Sequence, residues 1–391
     1  MIKKRVSIVL VGINGYGSVY VKELLNASED AYIVGVVDIF PNKSRYYDQL
    51  VEKDIPIYES LHEFYAKSKA DLAIISTPIH LHKEQSCYAM LNGSHVLCEK
   101  PASGNPLDLQ KMIDVRNRTG KFLAIGFNWS FTPAVQQLKQ DILDGVFGKP
   151  KRMKAIVLWP RDEAYYNRSS WAGKKYSTSG EMIFDSVANN ATSHFLHHLF
   201  YLLGPTIDTS CHLKDLTAEL YRVNNIETFD TCAVRIHTKE ETEILYFASH
   251  AVNKEVNPRY ELVFEHATIS YQAGNSIEAH FADGTSKSYA DPGEDSLAKL
   301  QICIEAVANS HGHILCGIEA ASSHVYSIEA MHESVPTIST FPEKLVKFEQ
   351  QRKLHWFEGL AETLMDCYDN EELPSDRGLS WSEKGNKIDF E

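Results

Sequence analysis

The chain has 391 residues, with 43% hydrophobic and 23% charged residues, which is ordinary for a globular protein and sufficient for two domains. Its formal net charge of −13 disfavours nucleic acids and anionic membrane surfaces as partners. No stretch is long and apolar enough to span a membrane, and the seven cysteines are scattered without a CxxC spacing. We therefore expect buried, reduced thiols in a cytoplasmic protein.

The first third of the chain alternates apolar runs with amphipathic stretches. The start, MIKKRVSIVL, is expected to form the first strand rather than a signal peptide. Strands are predicted at 5–11, 32–37, 72–76, 95–98 and 122–126, and helices at 17–27, 44–52, 60–67, 81–92 and 105–119. This alternation predicts an α/β fold with a doubly wound, parallel Rossmann sheet, which we assign to a first domain over residues 1–128.

The pattern changes after residue 128. A helix is predicted at 134–144, a long strand at 149–160, a polar and aromatic loop at 161–180, an apolar helix at 187–203, and further helices at 294–309 and 319–332. Alternating runs between 207 and 290 lack intervening helices, which predicts a large, open and mainly antiparallel sheet. Residues 129–391 are thus expected to form a C-terminal α+β domain, with a polar and loosely held tail from about residue 370.

A glycine-rich turn, GINGYG at residues 12–17, follows the first strand and opens the first helix. Such a turn can hold a pyrophosphate on the helix N-terminus, and Asp38 at the end of the second strand can accept hydrogen bonds from a ribose. Glycines alone also serve steric purposes in tight turns, but the strand context and Asp38 favour a dinucleotide site. Asn14 stands where a second glycine is usual, and asparagine tolerates left-handed backbone angles.

Asp38 also predicts which dinucleotide is bound. Its carboxylate accepts a 2′-hydroxyl and repels a 2′-phosphate, which favours NAD over NADP. The alternative is that Lys43 or Arg45, the nearest cations, turns back onto a phosphate.

In a doubly wound sheet the ligand binds at the carboxyl ends of the strands, so residues that follow several strands should converge there. The predicted cofactor-binding residues are Gly12, Ile13, Asn14, Gly15, Tyr16, Gly17, Asp38, Ser76, Thr77, Pro78, His82, Glu99, Lys100 and Asn128.

Three motifs carry a family resemblance: DLAIISTPIHLH at 71–82, HVLCEKP at 95–101, and NATSH at 190–194 before a helix that ends in Leu-Gly. With them the chain resembles the glucose–fructose oxidoreductase / inositol dehydrogenase / rhizopine-catabolism (Gfo/Idh/MocA) family over most of its length, most closely over residues 5–150. The resemblance implies hydride transfer between nicotinamide and a secondary alcohol of a sugar, cyclitol or sugar derivative. It also implies a homodimer or homotetramer that associates through the outer face of the large sheet.

The same resemblance assigns the catalytic residues. Lys100, the lysine of the EKP motif, becomes the base that removes the hydroxyl proton. The family has an Asp four residues before a His, and His194 matches that histidine as proton carrier or substrate anchor. Asn190 stands at the position of the Asp and can orient a hydroxyl but cannot carry a proton, so Asp185 is a second candidate for the acid.

The loop around residues 159–180 is the predicted substrate reader. Aromatic faces and forked donors suit polyhydroxylated rings, and its cations could bind the carboxylate of an acidic sugar, although a lid or interface would have a similar composition. The candidates are Trp159, Arg161, Tyr166, Arg168, Trp171 and Lys174. His194 and His198 have the i,i+4 spacing of metal ligands but no accompanying Glu, so no metal is predicted.

Two other functions stay open on these residues. The altered Asn190 motif is compatible with redox-neutral glycoside cleavage, in which the hydride returns to the substrate and no NADH accumulates. A regulator that only senses the dinucleotide would not need Lys100 and His194, whose presence counts against it.

Overall fold

The computed structural model describes residues 5–26, 29–309 and 313–391. Within them, six parallel strands form an N-terminal sheet of order β3-β2-β1-β4-β5-β6, the doubly wound order of a dinucleotide-binding fold. The strands are β1 Val6–Val11, β2 Ala31–Val37, β3 Ile57–Tyr58, β4 Leu72–Ile75, β5 His95–Cys98 and β6 Leu123–Ile125. The predicted parallel sheet is therefore confirmed.

Helices connect these strands where the amphipathic pattern predicts them. They are α1 Gly17–Leu25, α2 Tyr47–Glu52, α3 Leu61–Lys67, α4 His82–Leu91 and α5 Pro106–Thr119. Their ends agree with capping chemistry: the side chain of Asn105 accepts from Leu107 N at the start of α5, and Gly120 closes it at φ 66°. The predicted end of α1 at residue 27 lies outside the described residues.

The second sheet is mixed and mostly antiparallel, as predicted. Its order among the described residues is β14-β13-β12-β11-β7-β10-β9-β8-β15, with β18 also paired to β8. The strands are β7 Pro150–Leu158, β8 Leu213–Arg222, β9 Thr231–Thr238, β10 Glu243–Ser249, β11 Val256–Phe264, β12 Ala267–Gln272, β13 Ile277–Phe281, β14 Ser286–Tyr289, β15 Ser339–Thr340 and β18 Ile388–Asp389, and a separate hairpin joins β16 Val346–Glu349 to β17 Leu354–Phe357. Alternating side chains of these strands enter two separate apolar cores, one on each face.

The remaining helices are α6 Pro133–Leu143, α7 Glu163–Tyr166, α8 Ser193–Leu202, α9 Ala298–Ala308, α10 Ile318–Ser334 and α11 Leu360–Asn370. Helix α8 starts six residues later than predicted, since residues 187–192 form turns in which Thr192 N bonds to Val187 O. Helix α9 returns to the N-terminal sheet, where it contacts β1, β4 and β5. The predicted domain boundary at residue 128 stays a prediction. Because α9 packs on the N-terminal sheet, residues that follow this boundary contribute to the core of the first domain.

The C-terminal arm, residues 341–391, covers part of the outer face of the large sheet. Leu360, Leu364 and Tyr368 of α11 pack against Leu158 and Phe247 of the sheet. Charged residues extend this contact, because Arg152 and Lys154 both pair with Glu371. No helix was predicted at α11, although its apolar residues recur at the spacing of an amphipathic helix. The predicted loose tail is wrong, since Leu373 is buried and β18 pairs with β8.

Candidate active site

The carboxyl ends of the N-terminal strands lie side by side, as the doubly wound order requires. The Gly12 amide donates to Val37 O at 2.9 Å, and the Ser76 amide donates to Val11 O at 2.8 Å. These backbone bonds bring the glycine-rich turn, the end of β2 and the loop after β4 to one edge of the sheet. We call it the dinucleotide edge, comprising residues 12–17, 38, 76–78, 99–100 and 126–128.

Two glycines of the turn are required by close backbone contacts. A Cβ on Gly12, whose φ is 80°, would lie 2.8 Å from Ser76 O, and a Cβ on Gly17 would lie 2.1 Å from Gly12 O. The left-handed angle next to Asn14 falls on Gly15 at φ 53°, and Asn14 itself has no positive φ. The expected use of the backbone tolerance of asparagine is therefore wrong, and its side chain has another role.

Asn14 helps to hold the carboxylate of Asp38. Asp38 Oδ2 accepts from the Ile13 amide at 2.9 Å and from Asn14 Nδ2 at 3.1 Å, while Oδ1 accepts from the Phe40 amide at 2.8 Å. Lys43 lies over the Phe40 ring at 4.4 Å. The acid is thus fixed at the tip of β2 beside the turn, where the ribose of a dinucleotide is expected.

His82 and Thr77 support the loops around the dinucleotide edge. His82 is 1% exposed, and its Nδ1 and Nε2 each lie 2.8 Å from a carbonyl oxygen, of Pro101 and Thr77 respectively. Thr77 Oγ1 donates to Gln85 Oε1 at 2.5 Å. Because both ring nitrogens face backbone carbonyls of different loops, we interpret the ring as a clamp between those loops rather than as a group that touches the cofactor.

Lys100 lies where the N-terminal sheet meets the second half of the chain. Its Nζ donates to the backbone oxygen of Asn190 at 2.7 Å and lies 3.3 Å from Asn190 Oδ1. The side chain is partly buried, and this burial lowers the lysine pKa to about 8. With this pKa roughly a tenth of the amine is neutral at pH 7 and about half at pH 8, which supplies the neutral form that a general base requires.

Asn190 joins Lys100 to a buried carboxylate. Its Nδ2 donates to Asp185 Oδ1 at 2.7 Å, and Asp185 Oδ2 accepts from the Gly173 amide at 2.7 Å and from Arg168 Nη2 at 3.2 Å. Asp185 is 4% exposed and follows Phe184, whose φ of 48° is strained for an aromatic residue. The acid therefore reaches Lys100 through the amide of Asn190 and not directly.

His194 stands beside this group with a neutral ring. Its pKa is lowered well below the usual range, first by burial and then by the positive charge of Lys100. The ring packs edge-on against Phe127 at 5.8 Å. His324 of α10, which no sequence motif predicted, packs against the same Phe127 ring at 5.4 Å, and its pKa is lowered to about 4 by burial. Both neutral rings can donate and accept hydrogen bonds, but their lowered pKa makes them weak bases that would hold a transferred proton poorly.

The three cations predicted to read the substrate have different partners. Arg168 pairs with Asp185, and Lys174 pairs with Glu227 at 2.9 Å. Arg161 has no ion-pair partner among the described residues, and it lies over the rings of Trp159 at 5.6 Å and Tyr165 at 5.2 Å. It borders an open cleft of about 550 Å³ between this loop and the turn of the β16–β17 hairpin.

The aromatic residues of the loop surround Arg168 and Arg161. Arg168 stacks over Tyr165 at 3.9 Å and over Trp171 at 5.0 Å, and the buried hydroxyl of Tyr166 has no hydrogen-bond partner among the described residues. At the other end of the loop, Trp159 Nε1 donates to Asn257 Oδ1 at 3.3 Å. The predicted substrate residues thus lie in one region, except that Lys174 is turned towards Glu227.

Two further predicted cofactor-binding residues, Tyr16 and Asn128, are neighbours at the dinucleotide edge. Tyr16 is 42% exposed on the turn, and Asn128 Nδ2 lies 3.5 Å from its hydroxyl. His198 packs between the rings of Trp129 at 5.0 Å and Tyr260 at 5.1 Å.

In residues 5–26, 29–309 and 313–391 no group of three His, Cys, Asp or Glu side chains could hold a metal ion, and no helix there is long and apolar enough to cross a membrane. All seven cysteines are buried and free.

Two family models match the chain. Residues 6–127 match the oxidoreductase family with an NAD-binding Rossmann fold, and residues 135–270 match the GFO/IDH/MocA C-terminal domain. The protein belongs to the GFO/IDH/MocA family. The resemblance seen in the motifs, the two-part α/β fold and NAD as the cofactor are thereby confirmed.

Curated relatives match over part of their length. The inositol 2-dehydrogenase/D-chiro-inositol 3-dehydrogenase of Lactiplantibacillus plantarum is 25% identical over 238 residues, which is 60% of this chain and 63% of that protein. The D-glucoside 3-dehydrogenase of Escherichia coli is 35% identical over 81 residues, 21% of this chain and 23% of that protein. The matched regions thus span less than two thirds of these relatives.

Solved structures share the fold over nearly their whole length. The WlbA dehydrogenase from Bordetella pertussis, in complex with NADH and UDP-GlcNAcA, has a TM-score of 0.69 and 17% identity, covering 85% of this chain and 97% of that one. An oxidoreductase from Agrobacterium radiobacter, in complex with NAD+, L-tartaric acid and magnesium, also has a TM-score of 0.69, with 16% identity and coverage of 85% and 97%. At these identities the likeness concerns the fold alone.

Proposed function

We propose that the protein is an NAD-dependent dehydrogenase that oxidises a secondary alcohol of a sugar, cyclitol or sugar derivative, or reduces the corresponding ketone. The observation that carries this proposal is Lys100, a lysine with a pKa of about 8 at the dinucleotide edge and in contact with Asn190. When bound, NAD supplies the hydride acceptor. The tight turn at Gly12 and the fixed carboxylate of Asp38 fit this cofactor.

Lys100 would take the proton of the substrate hydroxyl. Its neutral amine has a lone pair for that proton, and the resulting ammonium group returns it when the reaction runs in the reverse direction. The carbonyl and amide oxygens of Asn190 orient the amine. Asp185 holds the Asn190 amide, so that this buried acid would fix the geometry of the base through Asn190.

His194 would anchor a second hydroxyl of the substrate. A neutral imidazole offers one donor and one acceptor, and its low pKa disfavours the role of proton carrier. We therefore propose that His194 anchors the substrate and does not carry the proton.

Arg161 is our candidate for reading the substrate beyond the reacting carbon. Among the described residues its charge has no carboxylate partner, and aromatic rings flank it. An acidic or phosphorylated sugar could pair with it, whereas Arg168 and Lys174 already have acidic partners.

The predicted homodimer or homotetramer also remains a proposal, with a restriction on its interface. The C-terminal arm covers the outer face of β7, β9 and β10 and also contacts Arg259 of β11 through Asp369, which leaves the polar outer face of β12 to β14 for a second copy. Cytoplasmic location remains a proposal as well.

The test is NADH formation, followed by absorbance, from NAD and a panel of cyclitols, neutral sugars, sugar acids and aryl glycosides. Aglycone release is followed in the same wells. The proposal predicts NADH with one class of alcohol. Aglycone release without NADH would instead support redox-neutral cleavage, and silence in both assays despite NAD binding would favour the sensor.

A further inference from the structure

A second buried lysine lies beside the candidate base. Lys299, on α9, is 0% exposed, and its Nζ lies 2.5 Å from Glu99 Oε1 and 3.2 Å from the backbone oxygen of Gly126. Glu99 is the immediate neighbour of Lys100 and is itself 8% exposed. Two hundred positions of sequence separate the partners of this ion pair, which joins α9 to the end of β5.

The residues around the ion pair of Lys299 and Glu99 stabilise it. The Tyr20 hydroxyl donates to the same Glu99 oxygen at 2.6 Å, and the Lys299 ammonium lies 4.7 Å from the centre of the Tyr16 ring. A Cβ on Gly126 would lie 3.0 Å from both charged groups, so glycine leaves the space they occupy. Buried charges are tolerated when they are paired and hydrogen-bonded in this way.

The pair has a consequence for Lys100. If the Glu99 carboxylate lacked a cation, it would attract the positive charge of the adjacent Lys100 side chain and favour the protonated amine. We infer that Lys299 is a positioning residue for Lys100: it neutralises Glu99 and holds its carboxylate at α9, so that the amine of Lys100 stays available as a base. This role rests on the proposed function of Lys100.

Other charged groups also face Lys100, and together they determine whether its pKa rises or falls when Lys299 is replaced. Glu99 and Asp185 favour its charged form, Lys299 and Arg168 disfavour it, and burial lowers its pKa more than any of them. The neutral rings of His194 and His324 complete the surroundings. Removing the charge of Lys299 takes away a repulsion and exposes Lys100 to an unpaired carboxylate, and both changes raise the pKa of Lys100.

Lys139 provides a matched control. It is also 0% exposed, but its Nζ donates to Thr209 O at 2.5 Å and lies 3.6 Å from the Tyr201 ring centre, with no carboxylate partner among the described residues. Replacement of Lys139 therefore removes a buried lysine without changing the charges that face Lys100.

The experiment measures the titration of Lys100 directly, without a substrate. The full-length protein is labelled with trace acetic anhydride at pH values from 6 to 10, and acetylation of Lys100 is quantified by mass spectrometry relative to Lys254, a surface lysine. For Lys299→Met we expect labelling of Lys100 at pH 8 to fall roughly fivefold, which corresponds to a pKa raised from about 8 by about one pH unit. The Lys299→Met/Glu99→Gln variant, which has lost both charges, should return to the wild-type curve, as should Lys139→Met.

Glu99→Gln alone serves as a second variant with the opposite sign. It leaves the ammonium group of Lys299 without its carboxylate, so the labelling curve of Lys100 should move to lower pH. An unchanged curve for Lys299→Met, or a double variant that keeps the shift, would overturn the inference. If the labelling shifts as expected but no alcohol is oxidised by the wild type, the proposed function fails while the coupling between the two lysines stands.

Discussion

The dinucleotide edge and the loop of residues 159–190 are held together by different interactions. Backbone contacts fix the edge: Gly12 packs against Ser76 O, and backbone amides hold Asp38. Side chains from distant positions fix the loop, as in the contact of Arg168 with Asp185 and of Asn190 with Lys100. Substitutions at the edge should therefore alter cofactor binding, and substitutions in the loop should alter turnover or substrate choice.

Lys100 lies at the dinucleotide edge and contacts Asn190 of the loop, so its replacement should lower turnover more than the other substitutions do. Lys100→Met removes the base and should lower turnover by roughly 10²- to 10⁴-fold, while NAD binding followed by calorimetry stays within about twofold of wild type. Normal turnover in this variant would contradict the assigned base. A parallel loss of NAD binding would mean that Lys100 serves the edge alone.

Asn190→Ala tests the loop. It removes the amide between Lys100 and Asp185 but leaves the backbone bond from Lys100, so kcat should fall between about 10-fold and 100-fold with unchanged NAD affinity. Asn189→Ala is the control, because among the described residues the side chain of Asn189 donates only to the backbone oxygens of residues 183 and 184 and makes no hydrogen bond to Lys100 or Asp185. Equal losses of kcat in both variants would point to local packing rather than to orientation of Lys100.

Asp38→Ala tests the edge. The loss of the carboxylate should weaken NAD binding about tenfold and reduce the preference for NAD over NADP, because the repulsion of a 2′-phosphate disappears. Asp48→Ala, on the exposed side of α2, should leave both affinities unchanged. If Asp38→Ala keeps the wild-type preference, Asp38 does not read the ribose.

Arg161→Met should give the smallest effect. We expect KM for acidic sugars to rise about fivefold, since a partly exposed ion pair contributes only about 1 kcal/mol, with little change for neutral sugars. Lys174→Met is the matched control, because Lys174 already pairs with Glu227. An equal change in KM for neutral and acidic sugars would remove Arg161 as a reader of charge.

The difference between the regions also explains what the sequence could predict. Glycine spacing and the acid at the end of β2 are local signals, so the turn and Asp38 were predictable from short motifs. The contact of Lys100 with Asn190, the place of His324 and the pairing of Lys299 with Glu99 depend on tertiary packing between distant segments. Lys299 left one trace, a single charge within the apolar run LAKLQICI, and α11 left a clear one, because its buried residues 360, 361, 364, 367 and 368 recur at helical spacing.

The pH dependence of kcat/KM for alcohol oxidation tests the central claim most directly. Lys100 must be neutral to accept the proton, so the rate should rise with pH and level off above a pKa of about 8, and Lys100→Met should abolish this dependence. A profile that is flat from pH 6 to 10, or one that rises only near the ordinary lysine pKa of about 10.4, would contradict the assignment of Lys100 as a base with a lowered pKa.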